Sequence, residues 1–201
     1  VDDASAGRNL SKADLPKLPK AVAALHFGSI SLIPEPEGGT YEALLKRERK
    51  SRVISIDPNI RASLIKDRKG HLARLTRLMA LSDIVKISDE DVKWMTGSDK
   101  FDTAARKWLK AGAKVVAITR GGEGVEVYAK GKNLSLAAPK VKVADTVGAG
   151  DTFTAGFLTH LHRGGLLNKK AIASLTAMQL QSAAEFAIKC AAVTVSRVGA
   201  D

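Results

Sequence analysis

Aromatic residues make up only 4% of this sequence, and it holds a single cysteine, Cys190. One thiol excludes an internal disulfide framework and fits a reducing, cytoplasmic setting. So few rings leave the core to Leu, Val, Ile and Ala, and supply no ladder on which nucleic-acid bases could stack. No run of about 18 uncharged apolar residues occurs, so no membrane span is expected. The opening Val1-Asp2-Asp3-Ala4 is not a secretory signal. Internal repeats, low-complexity tracts and flexible linkers are also missing.

What is present is an ordinary globular balance, with 45% hydrophobic and 26% charged residues over 201 positions. That length suits one sizeable core, so a single domain over 1–201 is expected. The net charge of +11 raises the question of nucleic acid. The bases gather in Lys46–Arg52, Lys66–Arg77 and Lys169-Lys170, with Glu48 and Asp67 among them. The first two runs fall in predicted helices, where solvated faces explain them, and a positive field also helps a protein that handles polyphosphates. Neither a nucleic acid nor a membrane is predicted as a partner.

Apolar runs alternate with helical patterns along the chain. Val22–Phe27, Val53–Ile56, Ile84–Ile87 and Val115–Thr119 read as strands. Between and after them, Thr40–Lys50, Asp67–Leu81, Asp89–Met95 and Thr103–Lys110 read as helices. Val125–Ala129 and Asn133–Ala137, joined across Lys130-Gly131-Lys132, read as a hairpin. Three helices follow: Asp151–His162, Lys169–Gln181 and Ser182–Val195. This order predicts a mostly parallel sheet covered by helices on both faces. Ligands of such sheets bind at the C-terminal edge of the strands. Polar or glycine-rich segments fall there: Asp57-Pro58-Asn59, Ser88-Asp89-Glu90-Asp91 and Arg120-Gly121-Gly122.

Asp145-Thr146-Val147-Gly148-Ala149-Gly150-Asp151-Thr152-Phe153 is the most informative stretch. Its second half starts a helix, with Phe153, Phe157 and Leu161 on one side and Gly156 permitting close approach of a neighbour. A helix start presents amide hydrogens without internal partners and a positive dipole end. The amides of Gly148, Ala149 and Gly150 are therefore expected to cradle an anion, with the Asp151 carboxylate beside them. A proton acceptor next to such a cradle suits phosphoryl transfer to an alcohol. An isolated Gly-x-Gly-Asp reads more readily as plain structure, a tight turn with capping aspartates.

The whole run resembles the Asp-Thr-x-Gly-Ala-Gly-Asp motif of the ribokinase and phosphofructokinase-B family of sugar kinases, and every fixed position is matched. Within the family, Leu25–Ser31, Asp57–Arg61, Lys86–Asp91 and Ser196–Ala200 are similar to bacterial fructokinases. The resemblance implies a ribokinase-like three-layer α/β/α sandwich, ATP and magnesium as cofactors, and a small sugar as substrate. It implies Asp151 as catalytic base and Gly148–Gly150 as the anion hole. Thr119, Gly121, Gly122 and Gly124 match the nucleotide-phosphate loop, and Ile188 falls where apolar packing would flank the adenine. Arg61 matches a position at the substrate and its phosphate.

Ser88 and Asp91 fall on the family's Asn-x-x-Glu motif, which organises magnesium-bound water, and depart from it at both ends. A helix cap by Ser88 accounts for the same letters. Asp145 and the backbone at Val147 would hold a monovalent cation such as potassium. A homodimer of the parent protein is compatible with the resemblance.

The family's first strands, its glycine pair and its lid would precede Val1, so the chain is expected to be the C-terminal catalytic and ATP-binding portion of a longer kinase. A catalytically inactive sugar- or nucleotide-binding module is the alternative from another class. Where acid-sugar kinases of the family place aromatic and basic residues, this chain has Val1-Asp2-Asp3-Ala4. Asp2 would repel a substrate carboxylate and suits sugar hydroxyls. Fructose is therefore favoured over 2-keto-3-deoxygluconate, with ribose and nucleosides as further alternatives.

Overall fold

A computed structural model describes residues 6–199. Its centre is a six-stranded sheet in the order of the sequence: β1 (Ala24–Gly28), β2 (Val53–Asp57), β3 (Ile84–Ser88), β4 (Val115–Thr119), β5 (Val125–Ala129) and β6 (Lys132–Leu136). The first four strands run parallel, and β5 and β6 return as an antiparallel hairpin. Strands β2 to β4 are buried on both faces, which is why they read as nearly unbroken runs of Val and Ile.

One face is covered by α1 (Glu37–Glu48), α2 (Arg68–Leu81), α3 (Asp89–Thr96) and α4 (Phe101–Ala111). Their Leu45, Leu75, Leu78, Val92 and Trp108 meet Ile54, Ile56, Val85, Ile87 and Ile118 of the sheet. The opposite face carries α5 (Ala149–Arg163), α6 (Lys169–Ala173) and α7 (Ala177–Val195). Phe153, Phe157, Leu161 and Leu180 pack there over Val53, Ile84, Val115 and Val127. The result is the expected three-layer α/β/α sandwich.

The differences from the sequence reading are local. α1 begins at Glu37 rather than Thr40; Gly38-Gly39, poor helix formers, hid its first turn from the sequence reading. A side chain at Gly38 would collide with the Arg74 guanidinium, which reaches past it to the carbonyl of Leu32. The hairpin pairs Ala129 with Lys132, so its loop is Lys130-Gly131 and β6 begins one residue earlier than predicted. The predicted helix Lys169–Gln181 is broken at 174–176, and α7 starts afresh. Thr176 Oγ1 accepts from the Gln179 N–H while Gln179 Oε1 accepts from the Thr176 N–H, a reciprocal cap that fixes a new helix start.

Two contacts hold the α5–α7 layer in place. A Cβ at Gly156 would stand 3.0 Å from the Ala187 Cα, so glycine lets α5 and α7 touch backbone to backbone. At the N-terminal end of β3, the buried Asp83 carboxylate accepts from the Ile54 N–H at 2.8 Å and from Lys169 Nζ at 2.6 and 2.7 Å. Asp83 thereby ties α6 to two strands.

Candidate functional site

The site is built at the C-terminal edge of the strands, where α5 begins. Gly148 caps that helix with φ +78°, a left-handed conformation that favours glycine. The Ala149 N–H points back to Thr146 O at 3.3 Å. The N–H groups of Gly150 and Asp151 have no main-chain partner among the described residues. The Gly148 N–H also has no hydrogen-bond partner among the described residues, so two of the three amides the sequence suggested stay free, with that of Asp151 beside them, while the turn engages Ala149. The Asp151 side chain is exposed. It lines a cavity of about 390 Å³ together with His26, Gly28, Asp57 and Asn59.

Beneath this helix start the strands present one polar face. Along β1, β2 and β3, alternate side chains point toward α5–α7: first Ala24, Val53 and Ile84, which are apolar, then His26, Ser55 and Lys86, then Asp57 and Ser88. Lys86 Nζ donates to Asp57 Oδ2 at 2.8 Å, and both side chains are buried. His26 Nδ1 and Ser55 Oγ lie 3.1 Å apart across β1 and β2. One side of the His26 ring opens to the cavity, yet its surroundings are dense enough that desolvation lowers its pKa, against the opposing pull of Asp57 and Asp151. Sequence reasoning passed over His26, Asp57 and Lys86 as site residues. Their signal was the shift from apolar to polar on one face of successive strands.

The Ser88 hydroxyl accepts from the Asp91 N–H at 3.1 Å, so it does cap α3. The Asp91 carboxylate accepts from the Ile60 N–H at 3.2 Å and joins the end of β3 to the loop after β2. Burial raises its pKa to about 6, opposed by the Ile60 hydrogen bond. In that same loop Arg61 is exposed, and its guanidinium donates to Asn59 Oδ1 at 2.6 Å. Asn59 lines the cavity and Arg61 does not.

Thr119 ends β4 in register with Ser88, so the Gly121–Gly124 loop leaves the sheet at the same edge. Gly121 has φ +50° and open space around it, whereas a side chain at Gly124 would strike the Leu136 carbonyl. Gly121 and Gly122 are exposed, as a loop receiving an anion requires. Ile188 is a core residue at 8% exposure and packs among the apolar side chains of α5 and α7, away from the cavity lined by Asp151.

Asp145 accepts from the Val147 N–H at 3.0 Å and from the Gly199 N–H at 3.2 Å, which lowers its pKa and stitches the turn before α5 to the segment after α7. Asp2 lies outside the described residues. No group of three or more His, Cys, Asp or Glu side chains is placed to hold a metal ion among the described residues.

Comparison with known proteins gives the family and the fold. The model of the pfkB family of carbohydrate kinases matches residues 3–201. A fructokinase of Rhizobium leguminosarum bv. trifolii is 52% identical over 181 residues, covering 90% of this chain and 56% of the relative. A probable chloroplastic fructokinase of Arabidopsis thaliana is 35% identical, covering 90% and 46%. The chain thus spans about half the length of the curated relatives it matches. Among solved structures, aminoimidazole riboside kinase from Salmonella enterica, complexed with aminoimidazole riboside and an ATP analogue, superposes with a TM-score of 0.83 at 25% identity. That match covers 96% of this chain and 62% of the other. Fructokinase from Vibrio cholerae O395, bound to fructose, ADP and potassium ion, gives 0.82 at 25% identity over 95% and 59%.

Proposed function

As this chain belongs to the pfkB family of carbohydrate kinases, we propose that it is the catalytic portion of a kinase that phosphorylates a hydroxyl of fructose with ATP. The observation that carries the reading is the meeting, at one helix start, of partnerless amides and an exposed Asp151 that lines the cavity. Asp151 takes the proton of the attacking hydroxyl, and the Gly150 and Asp151 amides, with the dipole of α5, stabilise charge on the transferred group. Gly148 sets the turn that aims them.

ATP would supply the phosphoryl group, and a divalent cation such as magnesium would neutralise its charge. With no cluster of three acidic or histidine ligands among the described residues, such a cation would be held largely by water and phosphate. The Asp91 carboxylate, with the Ser88 hydroxyl nearby, fits that role as a buried oxygen acceptor at the same edge of the sheet. Thr119 and the Gly121–Gly124 loop would receive the nucleotide phosphates. Asp145, whose oxygens are engaged by N–H donors, would order the turn around a potassium site formed by backbone near Val147. The potassium, ADP and fructose bound by the Vibrio enzyme support this assignment.

Neutral fructose is favoured because the cavity presents Asp57, Asp151 and Asn59, acceptors for hydroxyls that repel a substrate carboxylate. A single sheet shared by both helical layers supports one domain over 1–201. No helix among the described residues is long and apolar enough to cross a membrane. The free Cys190 thiol supports a reducing, cytoplasmic setting.

ADP release should be followed with fructose, ribose, 2-keto-3-deoxygluconate and aminoimidazole riboside as acceptors. Asp151→Asn should lower turnover by ~10²–10⁴-fold and leave nucleotide affinity unchanged. Equal ADP release by both proteins would refute the assignment.

A further inference from the structure

The strand face beneath α5 carries an ion pair that this reaction has not yet used. Lys86 and Asp57 are both nearly inaccessible, and Asp57 lines the same cavity as Asp151. Only Oδ2 of Asp57 is engaged by Lys86; Oδ1 is buried without a hydrogen-bond partner among the described residues. Above the pair, Lys86 Nζ presses against Gly150, where an added Cβ would come within 2.6 Å of it. A full positive charge therefore stands against the positive end of a helix dipole, in a place with little water. One carboxylate relieves that arrangement only in part. The ammonium lies against the Gly150 backbone, at the same helix start as the partnerless N–H groups of Gly150 and Asp151, and the ligand that suits three such donors is a small polyanion.

We propose that Lys86 is a further group of the phosphate site: held by Asp57, its ammonium adds a unit of positive charge to the first turn of α5 and draws the transferred phosphoryl group to Gly150. Asp57 is then a positioning residue that keeps the ammonium from swinging into the cavity. Gly150 is needed as glycine because any side chain there would displace Nζ. The catalytic half of this inference rests on the kinase reading, whereas the anion preference stands apart from it.

The test uses the intact protein and two probes, inorganic tripolyphosphate by calorimetric titration and ADP release with fructose. The double variant Lys86→Met with Asp57→Leu replaces the pair by apolar groups, a change that buried ion pairs often tolerate. A thermal melt verifies its folding, and Lys86→Gln with Asp57 intact gives the same readouts by a second route. Tripolyphosphate should bind about 10- to 100-fold more weakly to both variants, the loss expected of one charged hydrogen bond. Turnover should fall by ~10²–10³-fold in both variants, and in Lys86→Gln, which keeps Asp57, the KM for fructose should be unchanged, the pattern of a lost charge-stabilising donor. Wild-type tripolyphosphate affinity in the folded double variant would overturn the proposal, and so would wild-type turnover. Should Asp151→Asn retain full turnover instead, the kinase reading alone falls, and the tripolyphosphate titration still judges Lys86.

Discussion

The two faces of the sheet are made by the same alternation of side chains and come to opposite ends. On the α1–α4 face the inward residues stay apolar along the whole strand, as in Ile54 and Ile56 or Val85 and Ile87. On the α5–α7 face they begin apolar, with Val53 and Ile84, and turn polar within one or two alternations, at Ser55, Asp57 and Lys86. One face stays apolar, although its Leu25, Phe27 and Tyr41 also form part of the cavity wall. The other is a core at one end and a reaction vessel at the other, so a single set of strands divides stability from chemistry by position along its length.

Substitutions on the two faces break or sharpen this contrast. The largest effect is that of Asp151→Asn described above, which should remove turnover and leave the melting temperature within about a degree, because the side chain is exposed and makes no structural hydrogen bond among the described residues. On the closed face, Leu75→Ala should do the reverse. Leu75 is fully buried, so denaturant titration should show a loss of about 2–5 kcal/mol, with ADP release per folded molecule unchanged. A variant of Leu75 that lost activity without losing stability would erase the division.

Gly156→Ala tests the packing that sets α5 over the polar end. With the Ala187 Cα so near, a methyl group should push the helices apart and cost about 1–3 kcal/mol. Turnover should fall with it, since α5 carries Asp151. The smallest effect concerns Asp91, whose folded pKa of about 6 exceeds the ordinary 3.8. A carboxyl group with a raised folded pKa contributes stability that is fully present below the unfolded value and is lost as pH rises through the folded one. Melting temperature without added cation should therefore decline from pH 4 to 7 more steeply in the wild type than in Asp91→Asn. Parallel curves would show that burial does not govern Asp91.

The layers and the helix start at Gly148 were legible because their signals are local or strongly periodic. Runs such as Val115–Thr119 admit few alternatives to a buried strand, and the glycine run before Asp151 fixes a turn by its own geometry. The break before α7 was missed because Leu175 and Leu180 are both buried core residues, so the apolar pattern runs on through it. Only the exchange between Thr176 and Gln179 marks the new start. Lys86 was missed for a deeper reason. Its meaning depends on Asp57, 29 residues earlier, and on Gly150, a long way later, and no periodicity within one strand reports that meeting.

Asp83 sits at the opposite end of β3 from Lys86, and its grip on Lys169 is the only salt bridge recorded between the sheet and the α5–α7 layer among the described residues. A layer pinned at its rear margin and packed along its length keeps its register with the strands, so the first turn of α5 stays aimed at the polar strand ends at the front.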